Sequence, residues 1–265
     1  MRFARRDVRT VLAARTHDGP LVVQKPLYPE GAGVCHAIVV HPPAGIAAGD
    51  DLALDAAAEE GACVVLTTPG AAKWYRSNGA GAVARQSVRF SVGMDACMEW
   101  LPQEAIFFDG ARAESSLEVR LAAGARYIGW EVLCFGRRGS GERFTRGRVR
   151  LRNRLYLDEE LIWMEAGAID GGDALFDSAA GFAGGAICGT FVAAGPALAE
   201  IPLAQAQAQR PRKGEGAVTL MPNVFLGRYV GDSSEEARRY FVALWSIVRP
   251  VLTGRPPNAL RIWNT

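Results

Sequence analysis

The chain has 265 residues, 49% hydrophobic and 22% charged, with a formal net charge of +2. That balance excludes a disordered, collagenous or tail-dominated protein and suits a globular chain that buries its own core without a disulfide or metal staple. The apolar runs at 37–40 and 63–66 fall far short of the ~20 residues that span a bilayer, and the basic start has no apolar segment behind it, so a cytoplasmic protein without membrane contact is expected.

Period-two alternation dominates the first two thirds of the chain. Residues 10–15 and 21–24 read as strands joined in a hairpin around Asp18 and Gly19. Strands are also predicted at 34–40, 52–56 and 62–67. Val88, Phe90 and Val92 alternate with Ser87, Arg89 and Ser91, and Leu117, Val119 and Leu121 alternate with Glu118 and Arg120, as half-buried strands do. Arg148, Arg150, Arg152 and Arg154 are spaced by two and share one strand face, opposite Val149, Leu151 and Leu155. Such a row reads as a solvated edge that discourages sheet-to-sheet aggregation.

A glycine-containing turn recurs at Gly61, Gly93 and Gly124, 32 and 31 residues apart. This rhythm fits stacked β units, and equally a β-sandwich with regular turns. The Gly- and Ala-rich stretch 167–195 and the polar stretch 204–216 read as loops. One amphipathic helix is predicted over about 233–252. Ser233 and Glu236 have capping-box spacing, and Ala237, Phe241, Leu244, Trp245 and Val248 form an apolar stripe. Pro250 should end or kink it, and Gly254 should close it. A single domain over 1–265 is expected.

Five widely spaced cysteines without any C-x-x-C argue against a disulfide framework and a structural zinc site. No lysine sits in a phosphate-binding loop and no dinucleotide fingerprint is present, so nucleotide energy would have to come from a partner. Cys35 and His36 are neighbours, but adjacent strand residues point to opposite faces and cannot pair. Glu99, Glu104 and Asp109 are spaced by five and read as solvated or capping carboxylates. A hydrolytic enzyme on a β-helical scaffold, using Glu104 with Asp109 or Glu99, is the alternative reading. His36, His41, Asp50 and Asp51 lie within 16 residues but lack ligand spacing. A tight metal cage is therefore not expected, while a transient path lined by carboxylates is allowed. The near-neutral charge and the lack of a recognition motif argue against nucleic acid.

Several segments together resemble the urease accessory protein D family (UreD/UreH). They are residues 19–30, Cys35-His36 followed by 41–50 (HPPAGIAAGD), 67–77 (TTPGAAKWYRS), 99–104 (EWLPQE), 107–111 (FFDGA), Gly129-Trp130-Glu131, Phe135-Gly136-Arg137, 141–144 (GERF), Leu244-Trp245, Arg249-Pro250 and 261–265 (RIWNT). The resemblance implies a mainly β fold, a β-helix-like stack of strands with a few helices. It also implies a non-enzymatic scaffold for nickel insertion that binds accessory protein F, the GTPase accessory protein G and the urease apoprotein. No cofactor would be tightly bound, and Ni2+ would pass transiently along an internal path. Carried over by motif, the nickel-path candidates are Asp50, Glu131 and Glu165, with His41, Glu104 and Asp109 as secondary candidates.

Hard carboxylates and water can pass a hydrated divalent ion without trapping it. Members of the family usually carry paired glycines where this chain has Ala44-Gly45 and Ala48-Gly49, which implies a stiffer turn before Asp50 provided those alanines need no positive φ. They also begin with a longer N-terminal strand, so a weakened first strand is expected here.

Overall fold

The structure is a computed structural model that describes residues 1–78 and 81–264. Thr265, the last residue of the C-terminal motif, lies outside the described residues. The chain begins with β1 (Arg2–Arg6), β2 (Arg9–Ala14) and β3 (Val22–Val23), then β4 (Val34–Val40), β5 (Asp51–Ala58), β6 (Cys63–Thr67) and β7 (Ala72–Trp74). It continues through β8 (Ala84–Val92), β9 (Cys97–Leu101), β10 (Ala105–Phe107), β11 (Arg112–Leu121), β12 (Arg126–Phe135), β13 (Arg148–Leu157) and β14 (Glu160–Asp170). The last part holds β15 (Ile187–Ala194), α1 (Leu203–Ala208), β16 (Glu215–Leu220), β17 (Phe225–Gly231) and α2 (Ser234–Thr253).

These strands form two sheets. Sheet I has the order β14-β13-β11-β8-β5-β1-β2, and sheet II runs β16-β17-β15-β12-β9-β6-β4-β3, with β10 beside β12 and β7 beside β10. Through the middle of the chain successive strands fall alternately in the two sheets. Thus β4, β6, β9 and β12 are parallel neighbours in sheet II, and β5, β8, β11 and β13 are parallel neighbours in sheet I. Gly61, Gly93 and Gly124 sit in the three turns that carry the chain from sheet I back to sheet II, which is the physical origin of the 31- to 32-residue rhythm. Both ends of the chain depart from the parallel pattern. β2 is antiparallel to β1, and β14, β15, β16 and β17 add antiparallel strands to the sheets. The protein is therefore mainly β.

Four expectations are corrected. The hairpin around Asp18 and Gly19 does not form: β2 pairs with β1 across a turn at Asp7 (φ 52), and β3 pairs with β4. Stretch 167–195 contains β15, whose residues are almost all buried, because small residues fit between the helix and the neighbouring strands. A Cβ on Gly189, for example, would lie 2.7 Å from the Phe241 ring. Stretch 204–216 holds most of α1. Finally, the arginine row lies on β13, second from the edge, and β14 is the edge strand. Arg148, Arg150 and Arg154 pair with Asp170, Glu114 and Glu118 on the neighbouring strands.

Three apolar clusters hold the layers together. Two lie between the sheets, one around Leu54, Phe90, Met98 and Tyr127 and one around Trp74, Phe107 and Phe135. The third lies between sheet II and α2, where Phe241, Leu244, Trp245 and Val248 are buried. Sheet II is thus covered on both faces, which explains why β4 and β12 are nearly continuous apolar runs. Ser233 caps α2 by accepting from the Glu236 N–H at 3.2 Å, and Gly254 closes it in the left-handed region with φ 67. Pro250 does not end the helix, which continues to Thr253.

Candidate functional site

Between the sheets a cavity of about 330 Å3 remains. Its wall includes His41 and Gln103, which follow β4 and β9, together with Ala44 and Lys73, and it also includes Glu131, Asn153, Trp163 and Thr190. Most of the remaining lining is apolar, including Leu54, Val88, Trp100 and Leu117. Two buried polar atoms of lining residues, Trp74 Nε1 and Tyr127 Oη, have no hydrogen-bond partner among the described residues.

Strand register builds the polar part of the wall around Glu131. Leu54, Val88, Leu117 and Asn153 form one inward-facing row across sheet I, so a single amide interrupts an apolar ladder. Asn153 is 3% exposed and stands in register with Glu165 on β14. Across the gap, Glu131, Thr190 and Arg228 stand in register on β12, β15 and β17. The two rows meet: Asn153 Nδ2 donates to Glu131 Oε1 at 2.7 Å, and Thr190 Oγ1 donates to Glu165 Oε2 at 3.1 Å. Arg228 Nη1 donates to Glu165 Oε1 and, at 2.6 Å, to Thr190 Oγ1.

The electrostatics of the two carboxyls differ. Burial, reinforced by the nearby Glu165 charge, pushes the Glu131 carboxyl up to about 7 despite the Asn153 hydrogen bond and the Arg228 charge. Glu131 therefore exchanges a proton near neutrality, whereas Glu165 is ion-paired with the Arg228 guanidinium. Burial pushes the Cys134 thiol up to about 12 and raises Cys188 as well, so neither supplies a thiolate at neutral pH.

Glu131 and Glu165 are brought together, and the other predicted residues are not. Asp50 is absent from the cavity wall: its carboxylate accepts the Ala47 N–H at 2.8 Å and closes the 47–50 turn. Its charge is felt by His41, a wall residue that follows β4, where burial lowers the imidazole pKa and Asp50 partly restores it. In the preceding 41–44 turn Ala44 has φ 61, so the proviso of no positive φ fails at Ala44. A left-handed alanine there is strained by about 1 kcal/mol.

Asp109 binds the 145–146 turn, accepting from the backbone N–H groups of Thr145 and Arg146 at 2.8 Å each and from the Arg146 guanidinium at 2.6 Å. Burial opposes its ionisation, yet these donors hold its carboxyl at about 2. Glu104 is half-buried and does not line the cavity. Glu99 points to the other face of sheet II, where Trp245 and Arg249 donate to it. These three carboxylates are thus held apart from the cavity rather than gathered on one substrate surface. Cys35 and His36 do face opposite ways, Cys35 into the inter-sheet core and His36 to Glu30 at 2.6 Å. Among the described residues no group of three or more His, Cys, Asp and Glu side chains is arranged to hold a metal ion, and no helix is long and apolar enough to cross a membrane.

Sequence reasoning missed Asn153, Thr190 and Arg228. Only Asn153 left a signal, as the polar residue in the inward series Val149, Leu151, Leu155.

The family described as UreD urease accessory protein matches residues 1–264. The urease accessory protein UreD of Dechloromonas aromatica (strain RCB) is 52% identical over 270 residues, covering 99% of this chain and 92% of that protein. That of Azoarcus sp. (strain BH72) is 49% identical over 263 residues with the same coverage. That of Methylobacillus flagellatus is 44% identical over 267 residues, again at 99% and 92%. With its whole length matched and identities well above those that fix a family, the chain belongs to the UreD family of urease accessory proteins.

Proposed function

We propose that this protein is a non-enzymatic cytoplasmic accessory scaffold for nickel insertion into urease. It docks on the urease apoprotein together with accessory protein F and the GTPase accessory protein G, and it gives Ni2+ a route through the space between its sheets. Membership of the UreD family supports the accessory role. The observation that carries the route is the Glu131 carboxyl, set in the wall of the inter-sheet cavity and within electrostatic reach of Glu165. Spaced carboxylates with amide and hydroxyl neighbours offer hard oxygen ligands without closing a cage, so a divalent ion is attracted and released. In this reading Ni2+ is cargo. His41 lines the same cavity with the Asp50 charge near it, and the same chemistry there would receive a hydrated ion.

The test is the nickel content of urease purified from cells that lack their own accessory protein D and carry this chain with the cognate urease and accessory genes. Wild type is expected to restore loading. Glu131→Gln, which keeps size and hydrogen bonding but removes the charge, is expected to lower it by about tenfold, the equivalent of ~1.4 kcal/mol. Loading by Glu131→Gln and by the Glu131→Gln/Glu165→Gln double variant at the wild-type level would overturn the route. Loss of turnover by a purified Glu104→Gln protein on a carbohydrate substrate would instead establish the hydrolase alternative.

A further inference from the structure

At its β14 edge sheet I stops, while sheet II continues for two further strands, β17 and β16. The inter-sheet space would open sideways there. Across the opening lies a polar layer of Thr190, Glu165 and the Arg228 side chain, which reaches back from β17 onto the carboxylate of the edge strand. The side chains of Arg228 and Glu165 are 41% and 32% exposed, whereas Asn153, which holds Glu131, is 3% exposed. The cavity wall includes Glu131, Asn153 and Thr190 but neither Glu165 nor Arg228. The ion pair therefore stands between the cavity and solvent.

The neighbouring ties between the sheets, Asn153 to Glu131 and Thr190 to Glu165, run through an amide and a hydroxyl, whereas Arg228 brings a positive charge. A guanidinium on a flexible stem satisfies the carboxylate as a divalent ion would, and it swings away without moving the backbone. We propose that Arg228 gates a lateral port of the cavity: it is a tethered cation that a divalent ion must displace from Glu165 in order to pass between cavity and solvent. The proposal rests on the carboxylate route described above and adds to it a place of exchange and a residue that sets which ions exchange there. A monovalent ion gains less from Glu165 than the guanidinium it would displace, whereas a divalent ion gains more.

The test uses the full chain with Arg228→Ala, Arg228→Lys and Arg228→Ala/Glu165→Gln. Three readouts are made: acrylamide quenching of tryptophan fluorescence, Ni2+ binding by equilibrium dialysis, and nickel loading of urease in cells. Trp74, Trp100, Trp130 and Trp163 line the cavity, so an opened port exposes them to the quencher. Arg228→Ala is expected to raise quenching and to tighten Ni2+ binding by about fivefold, the scale of one part-exposed ion pair. Arg228→Lys, which keeps a tethered charge, is expected to stay near wild type in both. The double variant is expected to keep the raised quenching and lose the tighter binding.

Wild-type quenching and Ni2+ affinity in Arg228→Ala, with an unchanged unfolding midpoint, would overturn the gate. Should Arg228→Ala fold poorly, Thr190→Val removes one of the two acceptors that hold the guanidinium. It must then raise both readouts, and wild-type values would overturn the gate equally. The route and the gate fail separately: unimpaired loading by Glu131→Gln removes the route, whereas impaired loading by Glu131→Gln with inert Arg228 variants removes only the gate.

Discussion

At the scale of single residues, Glu131 links stability to the site. Its carboxyl titrates near 7 in the folded chain, against an ordinary value of 4.5, because burial and the Glu165 charge disfavour ionisation. The unfolded chain releases that proton at lower pH, so the folded state is disfavoured progressively from about pH 4.5 to 7 and by a constant amount above. The full effect is at most about 3.5 kcal/mol, at ~1.4 kcal/mol for each pH unit of displacement. Glu131→Gln keeps an acceptor for Asn153 and carries no charge. It is therefore expected to stabilise the protein at pH 8 by about 2 to 3 kcal/mol and to change little at pH 4. Urea unfolding at the two pH values measures this, and an equal effect at both would show that burial does not hold the proton. Glu131 was legible through its motif. What the motif could not show is its proton and its partners, since Asn153, Thr190 and Arg228 reach it only through strand register, between segments up to 97 residues apart.

Among the elements, those with a local signal were legible: β4 and α2 fall within a residue or so of their expected bounds because alternation, the apolar stripe and the Ser233 cap are written in neighbouring residues. The β15 strand was missed because its Gly and Ala content answers to the helix packed over it, a tertiary demand that overrides strand propensity. The predicted capping box is half formed. Ser233 accepts the Glu236 N–H, but the Glu236 carboxylate accepts the Arg212 N–H at 2.9 Å and pairs with Arg239. Ser233→Ala is accordingly expected to cost about 1 kcal/mol through the lost cap alone. Chemical denaturation should show this as a lower midpoint with an unchanged slope. A change below a few tenths of a kcal/mol would mean that the Glu236 contacts, not the serine, fix the start of α2.

On the scale of the whole molecule, the glycine rhythm foretold chain passages between layers, but not that the antiparallel strands at both ends would close the stack, nor which strand would lie at the edge. Nor did it show how α2 is fastened. Arg249 is fully buried and donates to Glu99 at 2.9 Å, to Glu30 at 2.8 Å and to the Pro256 carbonyl, while Glu30 also receives His36 at 2.6 Å. One guanidinium thereby ties the helix, strands β4 and β9, the segment before β4 and the C-terminal tail. Removing it leaves two carboxylates with little compensation in a place where burial already raises the Glu99 carboxyl. Arg249→Met is expected to destabilise the protein by about 3 to 5 kcal/mol. Because sheet II shares its strands with the clusters on both faces, the loss should lower one cooperative transition, seen alike by circular dichroism and tryptophan fluorescence. Two separated transitions in the variant would show instead that α2 and its apolar layer unfold independently of the sheets, and that the chain holds more than one cooperative unit.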